Sequence, residues 1–318
     1  MLFPFQTQLE FLKQNRQYRG RFAPSPSGPL HFGSLIAALA SFLQAKSNNG
    51  LWFVRIEDID KPRERIGAVE QILTGLTAFG MQWDNDQLNA NYVSPEDNDC
   101  LVQSKRLSRY QQILNFLQKH HCVYACQCTR KQIKQTGGLY QGHCRNKSFP
   151  FDNNAIRVHL ANPVNQFEDA LFGTVVSDSN ISAEDFIIKR RDDLFAYQFV
   201  VVIDDIDQGI SEVVRGADIM PLTTRQIGLY KLFGISPPDY LHIPLAVQEI
   251  GYKLSKQNHA QAIDITNPIP ELIAALSFLG LPTSQILNCA NTNVPDIIQW
   301  AINNWSVSHL PKQQEIII

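Results

Sequence analysis

Residues 18–34 read YRGRFAPSPSGPLHFGS. The first six residues, YRGRFA, have the character of a short buried strand. Pro24, Pro26, Gly28 and Pro29 then exclude regular structure from the next segment. A helix is expected from about His31 to Lys46, with Leu35, Leu39, Phe42 and Leu43 on one face. Outward from this unit, LWFVRIEDID (51–60) is an apolar strand ending in acids, and a second helix is expected over about 67–79. Strand, helix, strand, helix is the order demanded by a parallel sheet with crossover helices. The fold class is therefore α/β, with a Rossmann-like parallel sheet.

A Gly- and Pro-rich loop that opens a helix presents backbone N–H groups and the positive end of the helix dipole, which suits phosphate. The loop is neither G-x-x-x-x-G-K-[ST] nor G-x-G-x-x-G. It carries His31, able to donate to a phosphate oxygen, and Gly33, where a planar base can approach the backbone closely. A histidine here also serves as a plain polar cap.

The regularity breaks near residue 85. Polar stretches, a cysteine cluster and short strand-like pieces such as AIRVHL run to about 190 and read as an insertion into the sheet domain. FVVVID (199–204) is expected to resume an apolar parallel-type strand, followed by VVRGADIM and an amphipathic helix near 221–233. YLHIPLAV (240–247) is expected as the last sheet strand, before a polar loop with KLSKQ and apolar helical pieces to the end. The resulting division is 1–95 and 196–258 for the two halves of a catalytic domain, 96–195 for the insert, and 259–318 for a short helical segment.

With 318 residues, 44% of them hydrophobic, the chain can bury a sizeable core. A net charge of −2 announces no nucleic-acid partner, so any basic footprint must be local. One exists at 101–150, where Lys105, Arg106, Arg109, Lys119, Arg130, Lys131, Lys134, Arg145 and Lys147 occur without any Asp or Glu. Such a run is either a solvated face or a phosphate-facing surface. No targeting segment and no run near the roughly 20 apolar residues of a membrane span is visible, which points to the cytoplasm and to no membrane partner.

Cysteines cluster rather than spread as a disulfide framework would. Cys126 and Cys128 form C-x-C, with Cys144 sixteen residues beyond, which suits a structural zinc wanting four ligands. Three reduced structural thiols are the alternative. The fourth ligand is open among His143, His120, His121 and Cys122 on the residues alone. Likewise, Glu57 and Asp58 read as an exposed strand end beside Arg55, and Arg215 as an ordinary ion pair. Asp204, Asp205 and Asp207 resemble a metal cluster, yet acids at a strand end are usually solvated, and they carry no assigned role.

Taken together, RFAPSPSGPLHFGSL, WFVRIEDIDKPR, AYQFVVVIDDIDQGISEVVRGAD and KLSKQ resemble the glutamyl-tRNA synthetase-like class I aminoacyl-tRNA synthetases, in order and spacing, over about 18–257. HFGS replaces the HIGH form, with Ser34 at its last position. Only 62 residues (318 − 256) follow Lys256, whereas an anticodon-binding domain needs on the order of 100 or more. The short form is similar to the glutamyl-queuosine tRNA(Asp) synthetases. The resemblance implies a ligase that activates L-glutamate with ATP and Mg²⁺, without tRNA, and acts as a monomer on tRNA(Asp) bearing queuosine. It implies glutamate contacts from Arg21, Ser25, Glu57, Tyr197 and Arg215, and ATP contacts from His31, Gly33, Lys253 and Lys256, His31 and Lys256 being catalytic. Its C-x-C-x11-Y-x3-C pattern selects Tyr140 as the fourth zinc ligand, beside Cys126, Cys128 and Cys144.

Overall fold

The computed structural model describes residues 5, 17–88, 101–135, 137–253, 261–287 and 293–318. Strand β1 (Arg19–Phe22) pairs in parallel with β2 (Leu51–Val54), from Arg19 opposite Leu51 to Phe22 opposite Val54. Every residue of both strands is buried, as expected of a parallel sheet covered on both faces. Helix α1 (Phe32–Ser47) makes the crossover, burying Leu35, Leu39, Phe42 and Leu43 as their spacing requires. Helix α2 (Ala68–Ala78) follows and buries Ile72 and Leu76.

Beyond residue 101, helix α3 (Leu107–Lys119) buries Tyr110, Ile113, Leu114 and Leu117 on one stripe. Strand β3 (Val123–Cys126) and helix α4 (Arg130–Gln135) lead to strand β4 (Ala155–Val158). Strands β5 (Gln166–Asp169) and β6 (Gly173–Val176) form an antiparallel hairpin, and β7 (Ile187–Lys189) closes an antiparallel sheet of order β3-β4-β7.

The expected strand at 199–204 is a helix, α5 (Tyr197–Asp207). Every residue from Phe199 to Asp207 is buried, so this helix has no solvent face to interrupt the apolar run. A short, continuous apolar stretch carries no periodicity that separates a buried strand from a buried helix, and packing overrides the β preference of its valines. It shares a core with α3, β4 and helix α6 (Thr223–Leu232), through Tyr110, Val158, Phe199, Ile203, Leu229 and Phe233 among others.

Strand β8 (Glu212–Gly216) pairs in parallel with β9 (Asp239–Ile243). The β1–β2 pair abuts β8 at its start: Arg19 O accepts from Ser211 N at 3.0 Å, and Arg19 N donates to Ser211 Oγ at 2.8 Å. The expected strand at 240–247 is divided at Pro244, which has no N–H for a ladder. Its second part is β10 (Leu245–Glu249), which pairs with β11 (Tyr252–Lys253) and, in parallel, with a terminal strand, β12 (Glu315–Ile317). Helices α7 (Pro268–Phe278) and α8 (Val294–Asn304) pack on α1 through Leu272, Leu276, Ile297 and Ala301, so the closing segment is helical with one added strand. No described helix is long and apolar enough to cross a membrane.

Candidate active site

A cavity of about 360 Å³ opens where the loop after β1, the start of α1, the start of α5 and the ends of β8 and β9 converge. This is the carboxyl edge of the parallel strands, where open α/β sheets bind ligands. Its lining includes Arg21, Ser25, His31, Gly33, Tyr197 and Arg215, six of the residues singled out above. Gly216 belongs to the same wall: a Cβ there would stand 2.8 Å from both Asp218 Oδ1 and Leu245 Cδ2.

His31 is the N-cap of α1 and sits in a capping box. Its Nδ1 accepts from Ser34 N at 3.3 Å, while His31 N donates to Ser34 Oγ at 2.7 Å. A ring whose Nδ1 accepts carries its proton on Nε2 when neutral. Cap and phosphate donor are therefore compatible roles, using different ring nitrogens. The serine in place of the motif's last histidine has its own structural task, since its hydroxyl completes the box.

Arg21 is buried beneath the cavity and donates from Nε to Asp205 Oδ1 at 3.1 Å. Asp205 also accepts from Arg55 Nη1 at 2.7 Å, and Arg55 Nη2 donates to Glu57 Oε1 at 3.2 Å. Glu57 is buried and not an exposed strand end: at 7% exposure it is almost withdrawn from water. That burial pushes its carboxyl up to about 7, although Arg55 and Arg21 pull the other way. Tyr197, whose phenol burial also pushes upward, lies within electrostatic reach of Glu57, Arg215 and Arg21. Arg21, Tyr197 and Arg215 line the cavity together, whereas Glu57 is not among its lining residues and lies within electrostatic reach of Arg21 and Tyr197.

The acids of α5 are buried, contrary to the solvated strand end expected of them. Asp204 accepts from Arg106 Nε at 2.7 Å, and Asp207 accepts from Arg106 Nη2 at 2.6 Å and Arg109 Nη2 at 2.8 Å. Residues three apart on a helix share a face, so Asp204 and Asp207 meet α3 together while Asp205 turns toward the cavity floor. For Asp205, burial alone would raise the pKa, but Arg21 and Arg55 hold it below the ordinary carboxylate value. Arg106 and Arg109 consequently leave the basic run: they neutralise buried acids.

Arg215 is not an ordinary ion pair. It donates to His242 Nε2 at 3.1 Å, Gln226 Oε1 at 2.8 Å and Thr223 Oγ1 at 2.8 Å, all neutral acceptors. Asp205, Arg55, Thr223, Gln226 and His242 support the site and escaped the sequence reading. His242 was hidden in an apolar strand and Asp205 in an acid cluster; only the three-dimensional pairing distinguishes them. The loop Lys256 lies outside the described residues, and of Lys253 only the backbone is described, in β11.

At the end of β3, the Sγ atoms of Cys126, Cys128 and Cys144 lie within 4.8 Å of one another, and Cys128 and Cys144 are 3.5 Å apart. Sulfurs on one tetrahedral zinc at about 2.3 Å stand roughly 3.8 Å apart, so the trio fits such an ion. The Tyr140 hydroxyl accepts from Cys144 N at 2.8 Å, and its ring lies under Arg157 at 3.7 Å. Burial, the Cys144 thiol and the neighbouring Cys126 push the Cys128 thiol up to about 12, so three thiolates there call for a cation. His143 is exposed, and among the described residues it does not join the group. Arg130, Lys131, Lys134 and Lys147 are exposed around this knuckle.

Residues 17–293 match the family model described as tRNA synthetases class I (E and Q), catalytic domain. The chain belongs to this family. It is a ligase of the aminoacyl-tRNA synthetase type. A "Glutamyl-Q tRNA(Asp) synthetase" of Photobacterium profundum is 49% identical over 308 residues, 97% of this chain and 94% of that protein. A protein of the same name from Escherichia coli (strain K12) is 49% identical over 296 residues, 93% and 91% of the two chains. Among solved structures, a glutamate-tRNA synthetase from Elizabethkingia anophelis superposes with a TM-score of 0.73 at 23% identity, over 94% of this chain and 67% of that one. That likeness shows a shared fold over 94% of this chain.

Proposed function

We propose that this synthetase activates L-glutamate with ATP, without tRNA, and transfers it to the queuosine base in the anticodon of tRNA(Asp). The observation carrying the first half is the cavity itself, walled by two arginines, Arg21 and Arg215, with the buried Glu57 close to both Arg21 and Tyr197. Guanidinium groups bind a carboxylate through paired N–H donors, and an ionised Glu57 suits an ammonium group. Ser25 and Tyr197 add hydroxyl contacts. The names of the relatives favour glutamate and, for the acceptor, queuosine.

In this reading His31 Nε2–H, the α1 N-terminus, Lys253 and Lys256 hold the ATP phosphates, and Gly33 and Gly216 admit the adenosine. A glutamate carboxylate oxygen attacks the α-phosphorus, the bond to the bridging oxygen breaks, and pyrophosphate leaves with Mg²⁺. No protein nucleophile takes part, so the chain's contribution is positioning and charge neutralisation. The adenylate then yields its glutamyl group to a hydroxyl of the acceptor, releasing AMP.

Cys126, Cys128, Cys144 and Tyr140 would hold one zinc, whose service is structural: it ties the knuckle together and neutralises the thiolates. The exposed Arg130, Lys131, Lys134 and Lys147 around it make a surface for tRNA phosphates. The enzyme works as a monomer in the cytoplasm, its insert at 96–195 interrupting the two catalytic halves.

The test offers radiolabelled glutamate and ATP with queuosine-bearing tRNA(Asp), unmodified tRNA(Asp) and tRNA(Glu). Label on the first alone is expected. Label on tRNA(Glu) would make the enzyme a 3′-end glutamyl-tRNA synthetase, and no label with no ATP–pyrophosphate exchange would make it a silent RNA-binding relative.

A further inference from the structure

Arg215 has five N–H donors and uses three on His242, Gln226 and Thr223. One N–H on each terminal nitrogen remains, on a side chain that lines the cavity. What fixes the direction of those two donors is a buried chain of contacts reaching back to the β5–β6 hairpin. Arg215 and His242 face one another across the parallel β8–β9 pair. Arg215 Nε can only donate, so His242 Nε2 accepts. The other ring nitrogen, Nδ1, stands 2.7 Å from Asp169 Oδ2. Asp169 and His242 are both withdrawn from solvent, with side-chain exposure of 0% for each.

The Asp169 carboxylate receives four N–H donors. Oδ1 accepts from the Leu171 and Phe172 amides, both at 3.0 Å. Oδ2 accepts from the His242 amide at 3.0 Å and from the His242 ring. Only an acceptor on both oxygens satisfies that arrangement; an amide would set its NH₂ against two donors. Burial would raise this carboxyl, but His242 and the Phe172 and Leu171 amides hold it below the ordinary value, so it stays ionised. Burial likewise lowers the pKa of His242, which keeps the ring neutral with a single proton to place.

We propose that Asp169 and His242 are positioning residues for substrate recognition: the carboxylate fixes the ring proton on Nδ1, and the Nε2 lone pair so exposed holds Arg215 in its binding pose. The hairpin of the insert thereby orders a group in the catalytic cavity that it does not touch. The inference rests on the reading of Arg215 as a contact to the glutamate carboxylate, and the two can fail separately.

Two isosteres of His242 divide the ring's functions. In His242→Gln the side-chain oxygen takes the place of Nε2 and still accepts from Arg215. In His242→Asn the side-chain amide takes the place of Nδ1 and still donates to Asp169, but the ring's acceptor for Arg215 Nε is lost, together with its 3.2 Å contact to Thr223 Oγ1. Each variant is assayed by glutamate-dependent ATP–pyrophosphate exchange. His242→Asn should raise the KM for glutamate about tenfold or more, the scale of one lost hydrogen bond to a charged group, whereas His242→Gln should stay within about threefold. The KM for ATP should move less than about twofold in either, because neither ring nitrogen is a phosphate contact. Equal effects, or a milder His242→Asn, would overturn the proposal, since simple packing favours whichever variant keeps the Asp169 contact.

On the native chain, ¹⁵N NMR of labelled histidine, assigned with His242→Gln, should show His242 as the neutral Nδ1–H tautomer. In Asp169→Asn the proton should move to Nε2. A native ring protonated on Nε2, or on both nitrogens, would overturn the proposal whether or not any variant folds. Arg215→Ala completes the set: an unchanged glutamate KM there would remove the substrate role of Arg215 and leave the tautomer result standing.

Discussion

Two clusters of polar side chains, one beneath the cavity and one at the end of β3, are held by opposite means. Beneath the cavity, Arg21, Arg55, Arg106 and Arg109 meet Glu57, Asp204, Asp205 and Asp207, so that each buried charge has a partner of opposite sign. These groups come from β1, the end of β2, α3 and its approach, and α5, so the ion pairs tie together segments far apart in sequence. In the knuckle, Cys126, Cys128, Tyr140 and Cys144 come from one short segment, with Tyr124, Ile133 and Phe149 among the few apolar side chains against them. Ionising those thiols brings like charges together. The first cluster is completed by the chain alone; the second calls for a cation. A cavity floor built from internally neutralised charge can be rigid before substrate arrives, whereas the knuckle would take its order from a bound cation.

The largest effect should come from breaking the first cluster. Asp204→Ala removes one of the two carboxylates that neutralise Arg106, leaving Asp207 to serve both Arg106 and Arg109, and removes the acceptor for Gln103 and Tyr110. Urea denaturation should show a loss of about 3–5 kcal/mol, the usual cost of breaking a buried ion pair, with the bound metal content unchanged. The knuckle should respond in the reverse manner. Stripping its metal with a chelator, or Cys128→Ala, should raise amide exchange across 126–147 and cut transfer to tRNA about tenfold or more. ATP–pyrophosphate exchange should stay within about threefold, because the cavity and its charges stand apart from the thiols.

Protonation sharpens the comparison further. With its carboxyl pushed up to about 7 by burial, Glu57 is protonated below that pH in the free enzyme and cannot pair with an ammonium group. The KM for glutamate should therefore rise as pH falls from 7, at a slope approaching tenfold per pH unit, and be flat above about pH 8. In Glu57→Gln the profile should flatten. A KM independent of pH in the native enzyme would mean that Glu57 does not meet the ammonium group. The smallest expected effect is Ser34→Ala, which removes one half of the α1 capping box. Thermal unfolding should report a loss of about 0.5–1 kcal/mol, with a modest rise in the KM for ATP as His31 loosens.

The parts of the fold that could be read from the sequence are those where periodicity and breakers agree. Pro24 to Pro29 bound β1, and the spacing of Leu35, Leu39 and Leu43 fixes α1. At α5 the same reasoning fails for a physical reason: a helix buried on all sides shows no polar face, so Val200, Val201 and Val202 read as a strand. The cavity residues were legible because Arg21, His31, Tyr197 and Arg215 sit in motifs whose order is kept. Their supports were not. Asp205 and Arg55 acquire meaning only as partners, and His242 lies in YLHIPLAV, where a buried histidine looks like any other interior residue until Asp169 is brought to it. Tyr140 entered only through the resemblance, since the residues alone left the fourth ligand open; its hydroxyl accepts from Cys144 N and its ring lies under Arg157, whereas His143 is exposed.

The most direct test of the central claim, that a cavity with two arginines and a buried Glu57 activates glutamate unaided, is ATP–pyrophosphate exchange in the absence of tRNA. Glutamate and glutamine are compared as substrates. A carboxylate completes the donor set of Arg21 and Arg215, whereas a carboxamide presents two donors of its own to them. Exchange with glutamate, and a kcat/KM for glutamine lower by about a hundredfold or more, is the predicted result. Exchange that requires tRNA, or that accepts glutamine as readily as glutamate, would contradict the account.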